Sequence, residues 1–564
     1  MLVSAKAITL VGRPIPISAW SPFAYLWQDV AVVLVFAALD RALRRPLPAW
    51  IAYGLVAAYA ALNVPIVLVL STPLTWTMIR AARGPLADGV AHTVTPLNLL
   101  ALSVPLLLAA ALPSVLAGRT PRIRAWMVAL AAAIVAVGPL AASRVSTLGL
   151  HRNAIGALVE TSLPRLDPVA DDADWRASPF PQPRGADLSR LRGSMRGKNV
   201  LLVVLESTGA RHLKTYGASI DPMPNLTALA RRSIVVERAY AVYPESVKGL
   251  FATLCSRYPA FDTAPEIYAD APCAPLPRLL GGSGYRTALF HSGRFDYLGM
   301  RAVIERRGFD VLEDAGAIGG QVDSSFGVDD DATVRRALDW IRSLDRQPFF
   351  LTYLPIAGHH PYETTKPGPF RGQDDFTRYL NSLHESDAAL DTLLDGLRAL
   401  GLADDTLVIV FGDHGEAFGE HPGNFAHTLF IHEENVRVPY LIAAPGAVGA
   451  ELRLQRPVSA VDTAPTIVDL LGLPAEALHQ GTSMLAPEPR MALFFTDYSI
   501  GWLGLADGCW KYIYEMDGDR SRLYDVCLDP AELRDRAPEF VERVAAYRER
   551  VRSWAAAQKN LISR

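Results

Sequence analysis

Two runs of apolar residues each end in ionisable side chains that could hold a metal ion. Residues 407–411 (Leu-Val-Ile-Val-Phe) are followed, after one glycine, by Asp413 and His414. Residues 199–205 (Asn-Val-Leu-Leu-Val-Val-Leu) are followed directly by Glu206. Such runs are typical of strands buried on both faces, and open α/β sheets place their sites at the carboxyl ends of strands. A polar turn after a core strand is the alternative for either run alone, but two such strand ends favour a shared site.

Ser246 is a candidate nucleophile. It stands within residues 243–251, Tyr-Pro-Glu-Ser-Val-Lys-Gly-Leu-Phe, after another strand pattern and at the predicted start of a helix. A helix N-terminus presents free N–H groups and a partial positive charge, which suit a phosphate or sulfate group. The alternative is a serine that only caps the helix.

These side chains need a scaffold, and a regular alternation of strand and helix patterns begins near Gly197. The clearest helix pattern covers residues 377–400, where apolar residues recur at a spacing of 3.6. This alternation predicts an α/β fold with a mostly parallel sheet and helices on both faces. Near the C-terminus, residues 492–496 and a following hairpin predict a small antiparallel sheet. The predicted strands of the main sheet are residues 200–205, 234–239, 286–290, 349–354, 407–411 and 438–443.

The N-terminal region contains four apolar stretches of membrane-spanning length, at residues 23–39, 50–70, 97–117 and 125–143. Basic residues collect in two of the connections, which predicts that these two loops are cytoplasmic. Everything after Arg144 then lies outside the cytoplasm. Lys6 and Arg13 argue against an external N-terminus, so four or five spans stay open, and no cleavable signal peptide is expected. The basic residues of the two loops are Arg41, Arg44 and Arg45, and Arg119, Arg122 and Arg124.

All four cysteines follow the apolar stretches, as expected for disulfides in an oxidising compartment. Residues 510–515 and 522–526 alternate like two strands around a turn at Gly518, which lies midway between Cys509 and Cys527. These two cysteines are therefore predicted to bridge a hairpin. Cys255 and Cys273 form the remaining pair. The alternative is four free thiols, two in the core and two on the surface.

Composition divides the chain into four predicted parts. Residues 1–148 form a transmembrane helical domain, and residues 149–196, rich in Pro, Asp and Arg, form a linker. Residues 197–490 form the α/β domain, and residues 491–564 form a C-terminal antiparallel subdomain with a terminal helix. With 55 basic and 58 acidic side chains the protein is nearly neutral, so nucleic acid is not expected as a partner.

A series of short motifs runs in order through the part after the predicted linker. The motifs are the strand and acid at 199–206, Met-Pro-Asn-Leu at 223–226, Ser246 to Pro259, His-His-Pro-Tyr at 359–362, Asp-His-Gly-Glu at 413–416, Glu-Glu-Asn-Val-Arg-Val-Pro at 433–439, residues 458–471, and Leu-Tyr-Asp at 523–525 with Asp-Pro-Ala-Glu at 529–532. Together they resemble the sulfatase-like branch of the alkaline phosphatase superfamily, and within it the membrane-anchored phosphoglycerol and phosphoethanolamine transferases, including lipoteichoic acid synthases. The resemblance implies that residues 197–490 are a sulfatase-like catalytic domain.

The resemblance implies that Glu206, Ser246, Asp413 and His414 bind one divalent metal ion, Mn²⁺ or Zn²⁺. Two carboxylates, a hydroxyl and an imidazole also suit such an ion on chemical grounds. It further implies that Ser246 attacks a phosphodiester, because a bound cation favours the serine alkoxide and polarises the phosphoryl oxygen. The resulting phospho-enzyme is then released by an acceptor hydroxyl or by water.

Further polar residues are expected on the substrate side. His359 is expected to bind the phosphate or to protonate the leaving oxygen; the alternative is a loop histidine stacked on Tyr362. Lys248 is expected to offset phosphate charge, or else to lie in solvent on its helix. His421 and His427 are weaker candidates, with a surface loop as the alternative.

The sequence departs from the family pattern at two places. Ser246 is followed by Val-Lys-Gly-Leu instead of the x-Pro-Ser-Arg signature that directs formylglycine formation in sulfatases, which disfavours sulfate-ester hydrolysis. Lipoteichoic acid synthases hold glycerol phosphate with a Trp and an Arg that follow a His-Gly-Asp. Residues 291–297 keep His291 but not the rest, and Arg294 is the candidate for a similar role. Glycerol phosphate as the transferred group is therefore in doubt.

Three functions compete. The first is a metal-dependent transferase of the cell (inner or plasma) membrane, with an extracytoplasmic domain that moves a phospho-alcohol group from a lipid-linked donor to an envelope glycan or lipid acceptor. Membrane spans favour it because they hold the site beside lipid head groups. The second is a hydrolase of a small phosphate or sulfate ester, which release of product from aryl esters without lipid would support. The third is a catalytically inactive envelope protein that binds a partner, which absence of metal would favour.

Overall fold

The computed structural model describes residues 1–13, 15–43, 46–81, 94–116, 124–170, 173–320 and 326–563. Its N-terminal part begins with a short helix, α1 (Leu2–Leu10), and includes four helices that are long and apolar enough to cross a membrane. Each of the four contains one of the predicted apolar stretches within its described residues, and no fifth helix of this kind occurs in the described ranges. The long helices are α2 (Ser21–Leu43), α3 (Pro46–Leu70), α5 (Pro96–Leu116) and α6 (Ala125–Arg144), with the short α4 (Trp76–Ala81) after α3.

The N-terminal helix α1 lies at the end of the bundle where the chain leaves for the α/β domain. The ammonium group of Lys6 donates hydrogen bonds to the carbonyls of Leu150, His151 and Arg152, which follow α6. Lys6 is therefore buried against the chain just after the last apolar helix. Arg41 and Arg124 lie at the other end of their helices. Arg44, Arg45, Arg119 and Arg122 of the predicted cytoplasmic loops lie outside the described residues.

A nine-stranded sheet forms the centre of the α/β domain, and most of its neighbouring strands are parallel. All six predicted strands are present, but the stretch 438–443 is split at Pro439, which has no N–H group for a ladder. Two strands, β4 and β11, were not predicted. The strands are β1 (Asn199–Leu205), β2 (Ile234–Tyr240), β3 (Arg286–His291), β4 (Val311–Glu313), β5 (Phe349–Leu354), β6 (Thr406–Gly412), β9 (Arg437–Val438), β10 (Tyr440–Ala443) and β11 (Leu452–Ser459).

The spatial order of the strands is β11-β2-β10-β6-β1-β5-β3-β4, with β9 paired to β2. The alternating side chains of β1 enter two different cores: Val200 and Leu202 face one, and Leu201 and Val203 face the other. Burial on both faces explains why this strand is a continuous apolar run. The α/β fold class predicted from the sequence is thereby confirmed.

Helices cover both faces of the sheet, as predicted. The longest of them, α14, contains the predicted helix pattern at residues 377–400 except for its last residue. Together with α7 before the domain, the helices are α7 (Ala154–Ser162), α8 (Pro224–Ala230), α9 (Ser246–Cys255), α10 (Leu276–Gly282), α11 (Met300–Ile304), α12 (Ala315–Ile318), α13 (Asp330–Arg342), α14 (Asp375–Ala399), α15 (Glu433–Val436) and α16 (Thr463–Leu470).

The C-terminal part is a four-stranded antiparallel sheet with a long final helix packed on it. The two disulfides pair Cys255 with Cys273 and Cys509 with Cys527, as predicted. The hairpin register differs by one residue from the prediction, because Trp510 lies opposite Asp525. The elements are β12 (Ala492–Thr496), β13 (Trp502–Asp507), β14 (Trp510–Glu515), β15 (Arg520–Asp525) and α17 (Val541–Ser563); a separate two-stranded hairpin consists of β7 (Ala417–Phe418) and β8 (Phe425–Ala426).

The segment predicted as a linker is fixed to the domain along much of its length. It begins with the helix α7, and two buried ion pairs follow: Arg165 to Asp262 at 2.5 Å and Arg176 to Asp462 at 2.5 Å. Several charges of this segment therefore have partners far away in the sequence, which its Pro, Asp and Arg content did not indicate.

Candidate active site

The neighbouring strands β1 and β6 bring the two predicted acids together. They pair in parallel, with Leu205 opposite Gly412, so the next residue of each strand is Glu206 on one side and Asp413 on the other. A hydrogen bond of 3.0 Å from the Asp413 N–H to the Leu205 carbonyl extends this pairing. Both carboxylates are buried at the carboxyl end of the sheet.

The hydroxyl of Ser246 is hydrogen-bonded to both of these carboxylates. Its Oγ is 2.7 Å from Asp413 Oδ2 and 3.0 Å from Glu206 Oε2. Ser246 is the first residue of α9, whereas the capping residue is Glu245, which accepts a hydrogen bond from the Val247 N–H. The alternative that Ser246 is only a helix cap is therefore wrong. Its hydroxyl points to the acids instead of to its own helix.

His414 completes a group of three possible metal ligands with Glu206 and Asp413. Its Nδ1 lies 3.0 Å from the Gly415 carbonyl, which accepts a hydrogen bond and so leaves a lone pair on Nε2. Nε2 lies 3.5 Å from Asp413 Oδ2 and 3.6 Å from Glu206 Oε1, is buried, and has no hydrogen-bond partner among the described residues. Two carboxylates and an imidazole nitrogen that lacks a partner fit a divalent metal ion.

Other clusters of ligand-type side chains are less suited to a metal. Glu416 with His414 and His427 is one such cluster, but the two Glu416 oxygens already accept hydrogen bonds from Tyr362 and His427. In a second cluster the rings of His421 and His432 are stacked only 6° from parallel, so their lone pairs do not converge on one point. A third contains Cys509 and Cys527, whose sulfurs are bonded to each other.

The charges of the buried acids are strongly coupled. Burial, together with the negative charge of Glu206, raises the pKa of Asp413 to about 7. Burial alone would also raise the pKa of Glu206, but the imidazoles of His414, His359 and His427 hold it at about 2. Two adjacent buried carboxylates favour sharing a proton unless a cation lies between them. A divalent ion would let both ionise.

The same site contains the predicted substrate-side residues. A small cavity of about 50 Å³ is lined by Glu206 and Ser246 and also by His291, Arg294, His359 and His427. The ring of His359 lies 4.7 Å from that of Phe326, whereas it is His360 that contacts Tyr362. His359 is thus in the cavity, and the histidine that contacts Tyr362, edge to face, is its neighbour His360.

Two of the expected residues have other partners. Lys248 Nζ lies 2.8 and 2.9 Å from the two carboxylate oxygens of Asp497, and Lys248 does not line the cavity. Its charge is therefore neutralised inside the protein, which corrects its expected role at the phosphate. His421 Nδ1 donates a hydrogen bond of 2.7 Å to Glu434 and its ring stacks on His432, and His421 does not line the cavity that contains Ser246.

Several residues of the site were not predicted from the sequence. Glu245, Tyr297 and Phe326 line the cavity but were not singled out. Only Glu245 carried a local signal, because it stands directly before the candidate nucleophile at a helix start. Glu416 was quoted only as part of a motif, yet it holds the ring of His427 at 2.7 Å. The aromatic residues reach the cavity from loops that carry no periodic pattern.

Comparison with known proteins agrees with this geometry. The Sulfatase family model matches residues 198–473, which contain all the residues of the cavity. Residues 198–473 are a sulfatase-family domain. The sulfatase-family domain has the fold of the alkaline phosphatase superfamily: a superfamily protein from Vibrio parahaemolyticus superposes with a TM-score of 0.55 at 20% identity, covering 69% of this chain and 95% of that one.

Relatives of two kinds are similar in sequence to this chain. Arylsulfatase K of Bos taurus is 26% identical over 474 residues, covering 67% of this chain and 85% of the relative. Lipoteichoic acid synthase 2 of Bacillus subtilis (strain 168) is 24% identical over 323 residues, covering 54% of this chain and 49% of the relative. The protein is therefore an enzyme that acts on sulfate or phosphate esters.

Proposed function

We propose that this protein is a membrane-anchored, metal-dependent transferase. It moves a phospho-alcohol head group, of the phosphoglycerol or phosphoethanolamine type, from a lipid to an envelope acceptor through a covalent intermediate on Ser246. The observation that carries this proposal is the position of Ser246 Oγ, 2.7 Å from Asp413 and 3.0 Å from Glu206, in a cavity that also contains histidines. A serine hydroxyl in this place is suited to attack an electrophilic phosphorus or sulfur atom.

The residues around Ser246 suit two successive displacements at phosphorus. In the first, Ser246 Oγ forms a bond to the phosphorus of the donor, and the Asp413 carboxylate at 2.7 Å is placed to take the hydroxyl proton. The bond from phosphorus to the lipid alcohol breaks, and His359, which lines the cavity, is placed to give a proton to the departing oxygen. A divalent ion bound by Glu206, Asp413 and His414 would supply positive charge that stabilises the serine oxyanion and the phosphoryl group.

The second displacement returns the enzyme to its starting state. The hydroxyl of an acceptor attacks the phosphorus of phosphoserine, and His359 takes the acceptor's proton. The bond between phosphorus and Ser246 Oγ breaks, and Asp413 gives the proton back to the serine. If water attacks instead of an acceptor, the same residues hydrolyse the ester, and only exclusion of water distinguishes a transferase from a hydrolase.

The membrane helices favour transfer from a lipid. The loop that follows α3 contacts the C-terminal antiparallel subdomain directly: Thr75 Oγ1 donates a hydrogen bond of 2.9 Å to the Tyr498 carbonyl. Tyr498 follows Asp497, the ion-pair partner of Lys248 on the nucleophile helix α9. The site is thereby held near the end of the helical bundle, where a lipid head group would lie.

A second candidate function is hydrolysis of a small sulfate or phosphate ester. The match to arylsulfatase K favours it, because that match covers more of this chain than the match to the lipoteichoic acid synthase. The sequence after Ser246 disfavours hydrolysis of a sulfate ester, because it lacks the signature for formylglycine formation.

The experiment that tests the proposal is covalent labelling. The metal-loaded full-length protein is incubated with lipids that carry radiolabelled head groups, and the labelled peptide is identified by mass spectrometry. We expect label on Ser246 and none in Ser246→Ala, while Ser283→Ala, a change at an exposed serine, labels like the parent. Equal labelling of Ser246→Ala would show that the nucleophile is another residue. Release of product from aryl sulfates, without any label from lipid, would favour the hydrolase.

A further inference from the structure

The helix α7, which follows the last apolar helix, lies on the flank of α2 instead of beyond its end. Gln28 of α2 contacts both ends of α7: its Oε1 accepts a hydrogen bond of 2.7 Å from the Asn153 N–H, and its Nε2 donates one of 2.8 Å to Glu160 Oε1. The Asn153 side chain also donates to Asp29 Oδ1 at 2.6 Å. Because Gln28 is the eighth residue of α2, it lies about 10 Å from the helix start. The helix α7 is therefore level with the apolar part of a membrane-length helix.

The two faces of α7 differ in their surroundings. Ala157 and Thr161 are buried toward the helical bundle, and Thr161 Oγ1 accepts a hydrogen bond of 2.9 Å from the Trp76 N–H at the start of α4. Val159 and Leu163 are four residues apart and therefore share the opposite face. Val159 is 53% exposed and Leu163 is 61% exposed. The helix thus turns apolar side chains outward, where a helix on a water-facing surface typically turns polar ones.

Exposed apolar residues continue beyond the level of α7, toward the ends of α2 and α3. In α2, Phe23 precedes the contact with α7 and is exposed. In α3, Asn63 Oδ1 accepts a hydrogen bond of 2.7 Å from the Leu74 N–H, next to α4. The exposed Val69 and Leu70 lie beyond this point, at the end of α3. If water began at the level of α7, these side chains would also stand in water, so the outward face of α7 is continuous with the apolar surface of the long helices.

We propose that α7 lies in the outer leaflet of the bilayer, with Val159 and Leu163 among the lipid acyl chains. Helices that lie in this region bury an apolar face about 5–10 Å into the boundary between head groups and acyl chains. The polar side chains of α7 suit such a place, because Asn153 and Thr161 are hydrogen-bonded to the bundle and the Glu160 carboxylate is hydrogen-bonded to Gln28. The partner of this surface is the membrane itself.

The position of α7 is coupled to the nucleophile helix α9 through a short series of contacts. Arg165, three residues after the end of α7, forms an ion pair with Asp262 at 2.5 Å. Arg165 Nη2 also donates a hydrogen bond of 2.7 Å to the Asp497 carbonyl, and the Asp497 carboxylate binds Lys248 of α9. Anchoring of α7 in the leaflet thereby fixes the height of α9 above the lipid head groups. This consequence rests on the proposed function, because it concerns access to a lipid-linked donor.

Depth-dependent fluorescence quenching tests the location of α7. All native cysteines are in disulfides, so Val159→Cys or Leu163→Cys carries a single environment-sensitive fluorophore on the full-length protein in lipid nanodiscs. We expect a strong loss of fluorescence with lipids that are spin-labelled near the head group, a smaller loss with lipids labelled at the chain end, and little loss with aqueous iodide. The control is Asp404→Cys, exposed at the end of the sheet opposite Asp413, which only iodide should quench.

A charge on the outward face of α7 tests the coupling to the active site. In Val159→Asp a carboxylate would enter the acyl region, which disfavours the anchored position of the helix. With the metal-loaded protein in nanodiscs, transfer from a lipid donor should fall about tenfold, whereas a soluble nitrophenyl phosphodiester should be hydrolysed with the parental kcat/KM. Val159→Thr has nearly the same shape and no charge, so this matched control should keep both parental activities.

The possible results separate this surface from the proposed function. Quenching of the labels at positions 159 and 163 by iodide and not by lipid overturns the surface, because α7 then faces water. Protection from both quenchers means cover by another part of the chain or by a second copy, which overturns the bilayer as the partner. An equal fall of both activities in Val159→Asp, or a fall in neither, overturns the coupling to α9. Turnover of neither substrate by the parent overturns the proposed function, whereas the quenching result alone decides where α7 lies.

Discussion

Lys248 Nζ lies 2.8 Å from Asp497 Oδ1, and neither side chain is more than 5% exposed. The ion pair joins α9, which begins with Ser246, to the loop that contains Asp497. The next residue of that loop, Tyr498, accepts a hydrogen bond from Thr75, which follows the apolar helix α3. The ammonium group also lies 4.2 Å from the centre of the Tyr243 ring. A lysine that the sequence suggested for substrate binding thus fixes the position of the nucleophile helix.

Replacing Lys248 with Met should destabilise the protein strongly. The change leaves Asp497 buried without its cation, which typically costs about 3–5 kcal/mol. The melting temperature of the full-length protein in nanodiscs measures the effect. Arg301→Met is the control, since it removes one partner of the exposed pair with Glu305 and should cost about 1 kcal/mol or less. A Lys248→Met protein that melts with the parent would contradict a structural role for this pair.

Removing the imidazole of His414 should abolish stable metal binding. Its buried Nε2 has no protein partner in the described ranges, and the two remaining carboxylates alone give a weaker site for Mn²⁺ or Zn²⁺. After dialysis, elemental analysis should find about one ion per parent chain and a small fraction of that in His414→Ala. His421→Ala, in a cluster where the rings do not converge, should keep the parental content. A chelator should also lower the parental melting temperature, because ligands of the folded state stabilise it.

Asp330 should make stability depend on pH in the acidic range. Its carboxylate accepts hydrogen bonds from the N–H groups of Ile356 and Ala357, in the loop that leads to His359. Burial raises the pKa of Asp330 to about 6. Since this lies above the ordinary value near 4, the folded chain binds a proton that the unfolded chain has lost, so the contribution of Asp330 is full below about pH 4 and is lost as the pH rises to about 6.

The variant Asp330→Asn tests the direction of this pH dependence of stability. The melting temperature of the parent should fall more steeply between pH 4 and pH 6 than that of the variant, with a difference on the order of 2–3 kcal/mol in unfolding free energy across the range. Asp339→Asn, at an exposed position of the same helix, should follow the parental curve. Parallel curves for Asp330→Asn and the parent would show that Asp330 does not titrate in this range.

The two ends of the helical bundle should lie on opposite sides of the membrane. Ile17 is 92% exposed and precedes α2, whereas Asp40 is exposed near the end of the same helix, beside Arg41. All four native cysteines are in disulfides, so an introduced cysteine is the reactive one. In intact cells an impermeant maleimide should label Ile17→Cys but not Asp40→Cys, with Lys366→Cys in the catalytic domain as a labelled control. Labelling only of Asp40→Cys would invert the topology.

The sequence by itself determined the local elements and the chemical types of the site residues. The run at 199–205 is apolar on both sides because both faces of β1 are buried, and such a run is visible without any knowledge of the fold. The same holds for Asp413 and His414, which follow directly on β6. The pairing of Cys509 with Cys527 also followed from local spacing, and that of Cys255 with Cys273 by elimination. The predicted hairpin register was off by one residue, because the type of turn decides the register and was not known from the sequence.

Only the tertiary structure decided which of these residues meet. Glu206 and Asp413 are far apart in the chain, and they meet because β1 and β6 are neighbours in the sheet. The ion-pair partner of Lys248, Asp497, lies 249 residues away in the sequence, and no periodic pattern predicts such a contact. Backbone propensity and burial patterns are short-range properties and can be read along the chain, whereas strand order and long-range ion pairs depend on how the whole sheet packs. The element and ligand types were therefore predictable, and the convergence of those ligands and the state of each charge were not.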